Sequence, residues 1–310
     1  MSDPQDQALR TLLQALHQLS YQFVTPTPAT HSRVLARLSA APGGADLRAI
    51  LGWSQPFHWD DDPYGHIVKL LQTAGALERA ESGEMRSLVR VSTLEEQLYL
   101  HSAFPTAQSD AVFFGPDSYR YAAFLRAELP QLHPRQRLVD VGAGSGVGGI
   151  VAASLLPGAR ITLADINDKA LRFARINSAF NGVMAEFVRT DGLKDVKGAI
   201  DCVIANPPYI VDPAHRAYRD GGGMHGGELS LRWAREAAQR LDRGGAFLLY
   251  TGSAIVDGED LLKTALLKAL EQFDVTYREI DPDVFGEELE RDDYADVDRI
   301  AVVGLVAVKR

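Results

Sequence analysis

Leu138-Val139-Asp140-Val141-Gly142-Ala143-Gly144-Ser145-Gly146-Val147-Gly148-Gly149 decides the fold: an apolar run of strand length enters a turn with glycine at alternate positions, and a helix-forming segment follows. Glycine tolerates positive φ and lets a ligand approach the backbone, and a helix N-terminus just beyond it offers unpaired N–H groups. A G-x-G-x-x-G spacing can be read at Gly144, Gly146 and Gly149, so a nicotinamide or flavin site enters the comparison. Its register is off. In the dinucleotide fingerprint the first glycine ends the strand directly, whereas here Gly142 does so and Val147 stands where the third glycine belongs.

Outward from this segment the pattern repeats. Strands are predicted at 137–141, 160–164, 185–189, 201–205, 245–251, 275–280 and 299–308, with helices at 148–156 and 169–180 between the early ones. Such alternation predicts an α/β fold with a doubly wound, mostly parallel sheet and helices on both faces. The last two strands are joined by the acidic stretch 281–298 instead of a helix, so an antiparallel hairpin at the sheet's edge is expected.

Residues 1–105 read differently. Leu9, Leu12, Leu13, Leu16 and Leu19 share one helical face, and 34–38, 47–51 and 67–74 are further short helices, with Ala41-Pro42-Gly43-Gly44 as a breaker. Ala76-Leu77-Glu78-Arg79, the turn Glu81-Ser82-Gly83-Glu84 and the alternating Ser87-Leu88-Val89-Arg90-Val91 predict a two-stranded wing. Helices followed by a wing resemble a winged-helix module. The expected division is a helical, winged-helix-like domain at 1–105 and an α/β domain at 106–310. A winged helix can read DNA or contact protein; without a basic recognition helix, a packing or substrate-recognition role is favoured.

Composition narrows the surroundings. A chain of 310 residues with 46% hydrophobic content suffices for two domains. It lacks a run of about 18 apolar residues and a basic-then-apolar start, which predicts no membrane span and no signal peptide. The single cysteine, Cys202, excludes an internal disulfide and a cysteine-rich zinc site, and the histidines, His215 and His225 among them, lack metal-ligand spacing. A cytoplasmic protein without a metal is expected. The net charge of −9 and a pI near 5.4 argue against nonspecific binding to phosphate backbones.

Two segments carry a family resemblance. Asp140-x-Gly142-x-Gly144-x-Gly146 resembles motif I of the class I S-adenosylmethionine (SAM)-dependent methyltransferases. Asn206-Pro207-Pro208-Tyr209 ends the fourth predicted strand, 64 residues after Gly142, and resembles motif IV of amino-methyltransferases. That signature, (Asn/Asp/Ser)-Pro-Pro-(Tyr/Phe/Trp), is shared by N6-adenine, N2-guanine and glutamine-N5 enzymes. The resemblance covers about residues 110–255 and implies a Rossmann-like sheet with SAM as cofactor. It implies that Asp140 orients the methionine amino end, that Gly142, Gly144 and Gly146 admit the methionine and ribose, and that Asp191, followed by Gly192, meets the adenine amino group. Asp165, which ends the second strand, can accept from both ribose hydroxyls with Ile166 against the adenine; its competing reading is a helix N-cap.

The chemistry explains the residue types of motif IV. Consecutive prolines hold φ near about −65°, remove two N–H donors and enforce extended backbone, leaving a stiff ledge of carbonyls. An amide or arylamine nitrogen is a poor nucleophile because its lone pair is delocalised. With the Asn206 side-chain oxygen and the Pro207 carbonyl accepting from the NH2, and Pro208 stiffening the ledge, that lone pair is aimed at the methyl group, so positioning supplies much of the rate. Tyr209 is expected to be a flat wall for a planar acceptor.

The tyrosine and the glycine-rich Tyr218 to Leu229 are similar to the protein-glutamine methyltransferases that modify peptide-chain release factors, and Val112 to Tyr119 occupies the place of their pre-domain motif. The expected partner is accordingly a protein such as a translation factor, with a nucleic acid as the alternative and a SAM-binding regulator without turnover as the third reading. An acidic flap at 284–293 would repel phosphate and favour protein.

Overall fold

The computed structural model describes residues 3–38, 46–58, 65–79, 83–133 and 135–310. The expected breaker at 41–44 and residues 81 and 82 of the expected turn lie outside the described residues. The N-terminal part contains α1 (Pro4–Gln18), α2 (Pro28–Leu38), α3 (Leu47–Leu51) and α4 (His66–Thr73), then β1 (Leu77–Arg79), β2 (Met85–Ser87), β3 (Val89–Leu94) and β4 (Gln97–Ser102). The remainder runs α5 (Pro116–Glu128), β5 (Arg137–Val141), α6 (Val147–Leu155), β6 (Arg160–Asp165), α7 (Asp168–Phe180), β7 (Ala185–Arg189) and β8 (Ile200–Ala205). It continues through α8 (Glu228–Arg240), β9 (Leu241–Val256), β10 (Glu259–Asp260), α9 (Leu261–Ala269), β11 (Phe273–Asp281) and β12 (Arg299–Lys309).

The main sheet has the order β11-β12-β9-β8-β5-β6-β7, with β10 pairing β9. Pairs β5/β6, β5/β8, β6/β7 and β8/β9 are parallel, while β12 runs antiparallel to both β9 and β11. The fold is therefore mixed α/β with a mostly parallel central sheet. Apart from Arg137, Asp140 and Asp201, β5 and β8 are apolar because both faces are covered. Successive residues point to opposite faces, so Leu138, Cys202 and Ile204 join the buried cluster of α5 and α6. Val139, Val141 and Val203 join that of α8 and α9. The expected terminal hairpin is present, but β12 lies inside the sheet and only β11 forms the edge.

Helices α1, α3 and α4 bury one face each. Leu9, Leu12, Leu13 and Leu16 of α1 pack with Ile67 and Leu71 of α4, and the same cluster takes in Ala170, Phe173 and Ile176 of α7. A buried core thus crosses the expected boundary at 105/106. The expected continuous strand from Ser87 to Val91 is interrupted, since β2 ends at Ser87 and β3 begins at Val89. The Ser87 hydroxyl accounts for the break: it donates to the Val89 carbonyl at 2.7 Å and accepts from the Val89 N–H at 3.2 Å, competing with the ladder. Two hairpins result, β1/β2 and β3/β4, where one was expected.

Asn177, fully buried on α7, joins the parts. Its Oδ1 accepts from Leu100 N at 2.8 Å, and its Nδ2 donates to Leu100 O at 3.0 Å and to Ser145 O in the glycine turn at 2.8 Å. Replacing Asn177 with Ala strands three buried backbone groups, each worth about 1 kcal/mol or more when left unpaired. The expected result is a loss of about 3 kcal/mol or more, read as a lower urea midpoint with an unchanged slope.

Candidate functional site

A cavity of about 320 Å³ opens where the carboxyl ends of the parallel strands meet their loops, the place at which open α/β sheets bind ligands. Its base is the turn after β5. Gly142, Gly144 and Gly146 adopt φ of +69°, +55° and +87°, values that L side chains rarely take. A Cβ on Gly142 would lie 2.5 Å from the Trp233 ring of α8, whereas one on Gly144 would meet no atom nearer than 4.0 Å. Gly142 and Gly144 line the cavity; Gly146 sits behind them as the residue before α6.

Asp140 braces this turn from below. Its Oδ2 accepts from Gly149 N at 2.8 Å, its Oδ1 faces the Tyr121 hydroxyl at 3.4 Å, and a Cβ on Gly148 would come within 2.7 Å of the carboxylate. Burial pushes the carboxyl up to about 7, against the opposing pull of the Gly149 and Tyr121 donors. Asp140 still borders the cavity.

At the end of β6, Asp165 accepts from Gly144 N through Oδ2 and from Asn167 N through Oδ1, each at 2.8 Å. The N-cap of α7 is Asn167, whose side chain accepts from Lys169 N, so the capping reading of Asp165 does not hold. An ionised carboxylate has about four acceptor positions, so the backbone donors do not exhaust it. Burial raises the Asp165 carboxyl, while the backbone donors lower it. Beside it Ile166 is 55% exposed, a large apolar side chain presented to the cavity.

Asp191 and Gly192 also line the cavity. Asp191 is gripped by Arg232 of α8 at 2.7 and 2.9 Å and approached by Lys194 at 3.2 Å, and these cations hold its carboxyl below the usual range. Its outward reach toward a ligand is therefore shared with Arg232, which lines the same wall. Gly192 has φ +71°, and a Cβ there would run into Glu236, whose carboxylate accepts from Leu193 N at 2.7 Å.

β8 delivers Asn206 and Pro208 to the cavity, with Pro207 buried behind them. Among the described residues the Asn206 side-chain amide forms no hydrogen bond, which leaves its oxygen and NH2 free for a ligand. The glycine-rich segment supports this ledge from outside. Gly221 N donates to Ile210 O at 2.9 Å, and a Cβ on Gly226 would strike the Tyr209 carbonyl.

Tyr209 is placed differently from the wall expected of it. Its ring is 7% exposed, outside the cavity lining, set edge-on to Phe285 at 5.8 Å and lying where a Cβ on Gly252 would be. Its hydroxyl donates to Asp117 Oδ2 at 2.7 Å. Burying a tyrosine with a partner for its hydroxyl is the favourable arrangement, and here it anchors the loop instead of facing an acceptor.

Aromatic rings on the cavity wall come from positions given no such role in the sequence. Phe113 and Tyr218 lie in parallel planes, 5° apart with centroids at 6.1 Å, and the Tyr218 hydroxyl donates to the Thr106 carbonyl at 2.7 Å. Trp233 lines the wall too, and its buried indole N–H has no partner among the described residues. Phe113 and Tyr218 fall in the two segments singled out by resemblance, but motif spacing does not say which way their rings face, and Trp233 carried no signal at all. At the rim, His215 Nδ1 meets Asp220 Oδ2 at 2.6 Å. Among the described residues no cluster of His, Cys, Asp and Glu could hold a metal. Part of the acidic stretch is paired. Glu288 pairs with Arg219 and Arg291, Asp293 with Arg291 at 2.7 Å and Asp296 with His225 at 3.0 Å.

Comparison with known proteins adds the following. The chain is 35% identical over 126 residues to the release factor glutamine methyltransferase of Deinococcus radiodurans, covering 37% of this chain and 45% of that protein. It is 34% identical over 125 residues to the ribosomal RNA small subunit methyltransferase C of Hahella chejuensis, covering 40% and 33%. The matches thus span less than half of these relatives' length. Among solved structures, the 16S rRNA N2 G1207 methyltransferase of T. thermophilus, in complex with AdoMet and guanosine, aligns over 94% of this chain and 73% of its own, with 18% identity and a TM-score of 0.47. The family described as the methyltransferase small domain matches residues 109–273, more than half of the chain, and to that family this protein belongs.

Proposed function

We propose that this chain is a SAM-dependent N-methyltransferase acting on a planar NH2 group. The observation that carries the reading is the opening of Asn206 and Pro208 into the same cavity as the glycine turn and Asp165. The cavity suits such a donor. Gly144 leaves space open, Asp165 keeps acceptor positions free, Ile166 offers an apolar face, and Trp233 carries an unpartnered N–H. When bound, SAM supplies an electrophilic methyl group on a sulfonium.

The chain's own residues do the rest. The Asn206 side-chain oxygen and the Pro207 carbonyl accept from the acceptor's NH2 and orient its lone pair, and the proline ledge keeps that orientation from relaxing. Asp165 holds the ribose end of the donor, with Asp191 near its adenine, and Asp140 supports the turn that receives the methionine end. For the acceptor we favour a protein glutamine amide of the release-factor type. The net charge of −9 opposes a phosphate backbone. A second reading, a nucleobase amine of RNA or DNA, is supported by the parallel Phe113 and Tyr218 rings, on which a base could stack.

Purified chain incubated with methyl-labelled SAM and cell lysate, followed by nuclease and protease arms, tests both readings. Label lost to protease and retained after nuclease supports glutamine; the reverse supports the nucleobase. Donor binding with no label in any fraction supports a regulator without turnover. Asn206→Ala is expected to keep donor affinity within about threefold and to lower transfer by about 100-fold or more, while Asp165→Ala weakens donor binding by about tenfold. Equal loss of binding in both variants would show that Asn206 mainly shapes the donor pocket.

Asp140 adds a pH signature. Its folded carboxyl is raised to about 7 from 3.8, so the folded state holds a proton that the unfolded state has released. Its contribution to stability is fully present below about pH 4 and declines as the pH rises to about 7, at up to about 1.4 kcal/mol per unit. Calorimetric unfolding of wild type minus Asp140→Asn should show this downward slope; a flat difference would mean that Asp140 is ionised throughout.

A further inference from the structure

The second residue of α5, Asp117, is 5% exposed and accepts three donors from three separate elements. Tyr209, of the proline ledge, donates to Oδ2 at 2.7 Å, and Tyr250, of β9, to Oδ1 at 2.9 Å. Arg120 approaches Oδ1 at 3.4 Å from within α5, and is itself held by Asp281 at the end of β11 at 2.9 Å. Such a carboxylate has no role in the transfer itself: it does not line the cavity, and its acceptor positions are spent on protein donors. Its neighbours do line the cavity. Ser118 follows it directly, and Tyr121, one turn further along the helix, reaches Asp140 beneath the glycine turn.

We propose that Asp117 is a positioning residue that sets the pose of Asn206 and Pro207 through the Tyr209 hydroxyl. The proposal rests on the transfer reading above. The physical reason is leverage. Asn206 makes no side-chain hydrogen bond of its own among the described residues, so its placement depends on the backbone that carries it. Prolines make that backbone stiff but do not fix where it lies. Tyr209 supplies the fixed point, since its ring is clamped between Phe285 and Gly252 and its hydroxyl is tied to a buried carboxyl group. Leaving a buried polar partner unpaired costs about 1–3 kcal/mol, and a displacement of about 1 Å at a reacting group can cost about 100-fold in rate.

The test is a double-mutant cycle with Asp117→Asn, Tyr209→Phe and the double variant. Each is assayed for transfer from methyl-labelled SAM to the lysate fraction that accepts label, and for SAM affinity and thermal unfolding. Asp117→Asn is close to isosteric but leaves one acceptor oxygen where Tyr209 and Tyr250 need two, so it disturbs the tie without opening a cavity. Each single variant is expected to lower the rate at saturating SAM and acceptor by about tenfold or more, with SAM affinity within about twofold. The double variant should be no slower than the slower single one, because one bond is removed twice.

A readout independent of turnover is the side-chain NH2 resonance of Asn206 in a 15N-labelled sample, which should shift in Asp117→Asn and in Tyr209→Phe alike. Multiplying rate losses in the double variant, or a wild-type rate and an unmoved Asn206 resonance in Asp117→Asn, would overturn the proposal. So would a lowered melting temperature with the rate unchanged, which is the mark of a purely structural acid. Wild type that binds SAM yet labels nothing overturns the transfer reading instead and removes this proposal with it. The two failures are thereby distinguishable.

Discussion

The structure depends on one carboxylate placed under one turn. Asp140, at the carboxyl end of β5, accepts the Gly149 N–H from the first turn of α6, and the turn between them must double back over it. That geometry leaves no room for a Cβ at Gly148 and puts Gly142, Gly144 and Gly146 at positive φ. A buried carboxylate is costly unless it is hydrogen-bonded or neutral. The shift of Asp140 to about 7 records that cost, and the Gly149 and Tyr121 donors reduce it. The cavity exists because the turn, once tied down in this way, cannot collapse onto the sheet.

Around that turn, two elements from outside the strand–loop–helix unit complete the wall. α5 reaches beneath both halves of the site, through Tyr121 to Asp140 and through Asp117 to Tyr209. From the opposite face, α8 brings Trp233 against Gly142 and Arg232 to Asp191. The N-terminal part adds a third attachment, since Asn177 of α7 bonds both Leu100 of β4 and Ser145 of the turn. The hairpin β3/β4 is therefore linked to the loop through a single buried amide, and the helices of the first hundred residues share a core with α7.

Charge in the acidic C-terminal stretch illustrates how composition and structure part ways. Read as a string, Glu287 to Asp293 looks like an anionic flap. Folded, Glu288 is buried between Arg219 and Arg291, and the latter also holds Asp293 and the Val211 carbonyl, so two of the acids belong to a network that fixes the loop after Ile210. The acids that border the cavity are instead Asp191 and Asp220, neither of which lies in that stretch and both of which are partly buried.

The sheet was legible in the sequence because both faces of β5 and β8 are covered, which makes them mainly apolar runs, and because glycine and proline mark the turns between elements. The positions of Asp140, Asp165 and Asn206 at strand ends followed from the same rhythm, since strand ends are local. Local pattern could not show that β12 inserts between β9 and β11, that Ser87 breaks a strand through its own hydroxyl, or that Asn167 and not Asp165 caps α7. Nor could it reveal which side of the loop Tyr209 faces, because Pro-Pro fixes the path of the chain but not the partner that claims the next side chain. That partner, Asp117, lies 92 residues earlier. What the sequence determined by itself was the order of the elements and the chemistry at their ends, both set by neighbours along the chain; the tertiary structure alone decided which side chains face the cavity, because burial and hydrogen bonding between distant segments assign each ring and carboxylate its side.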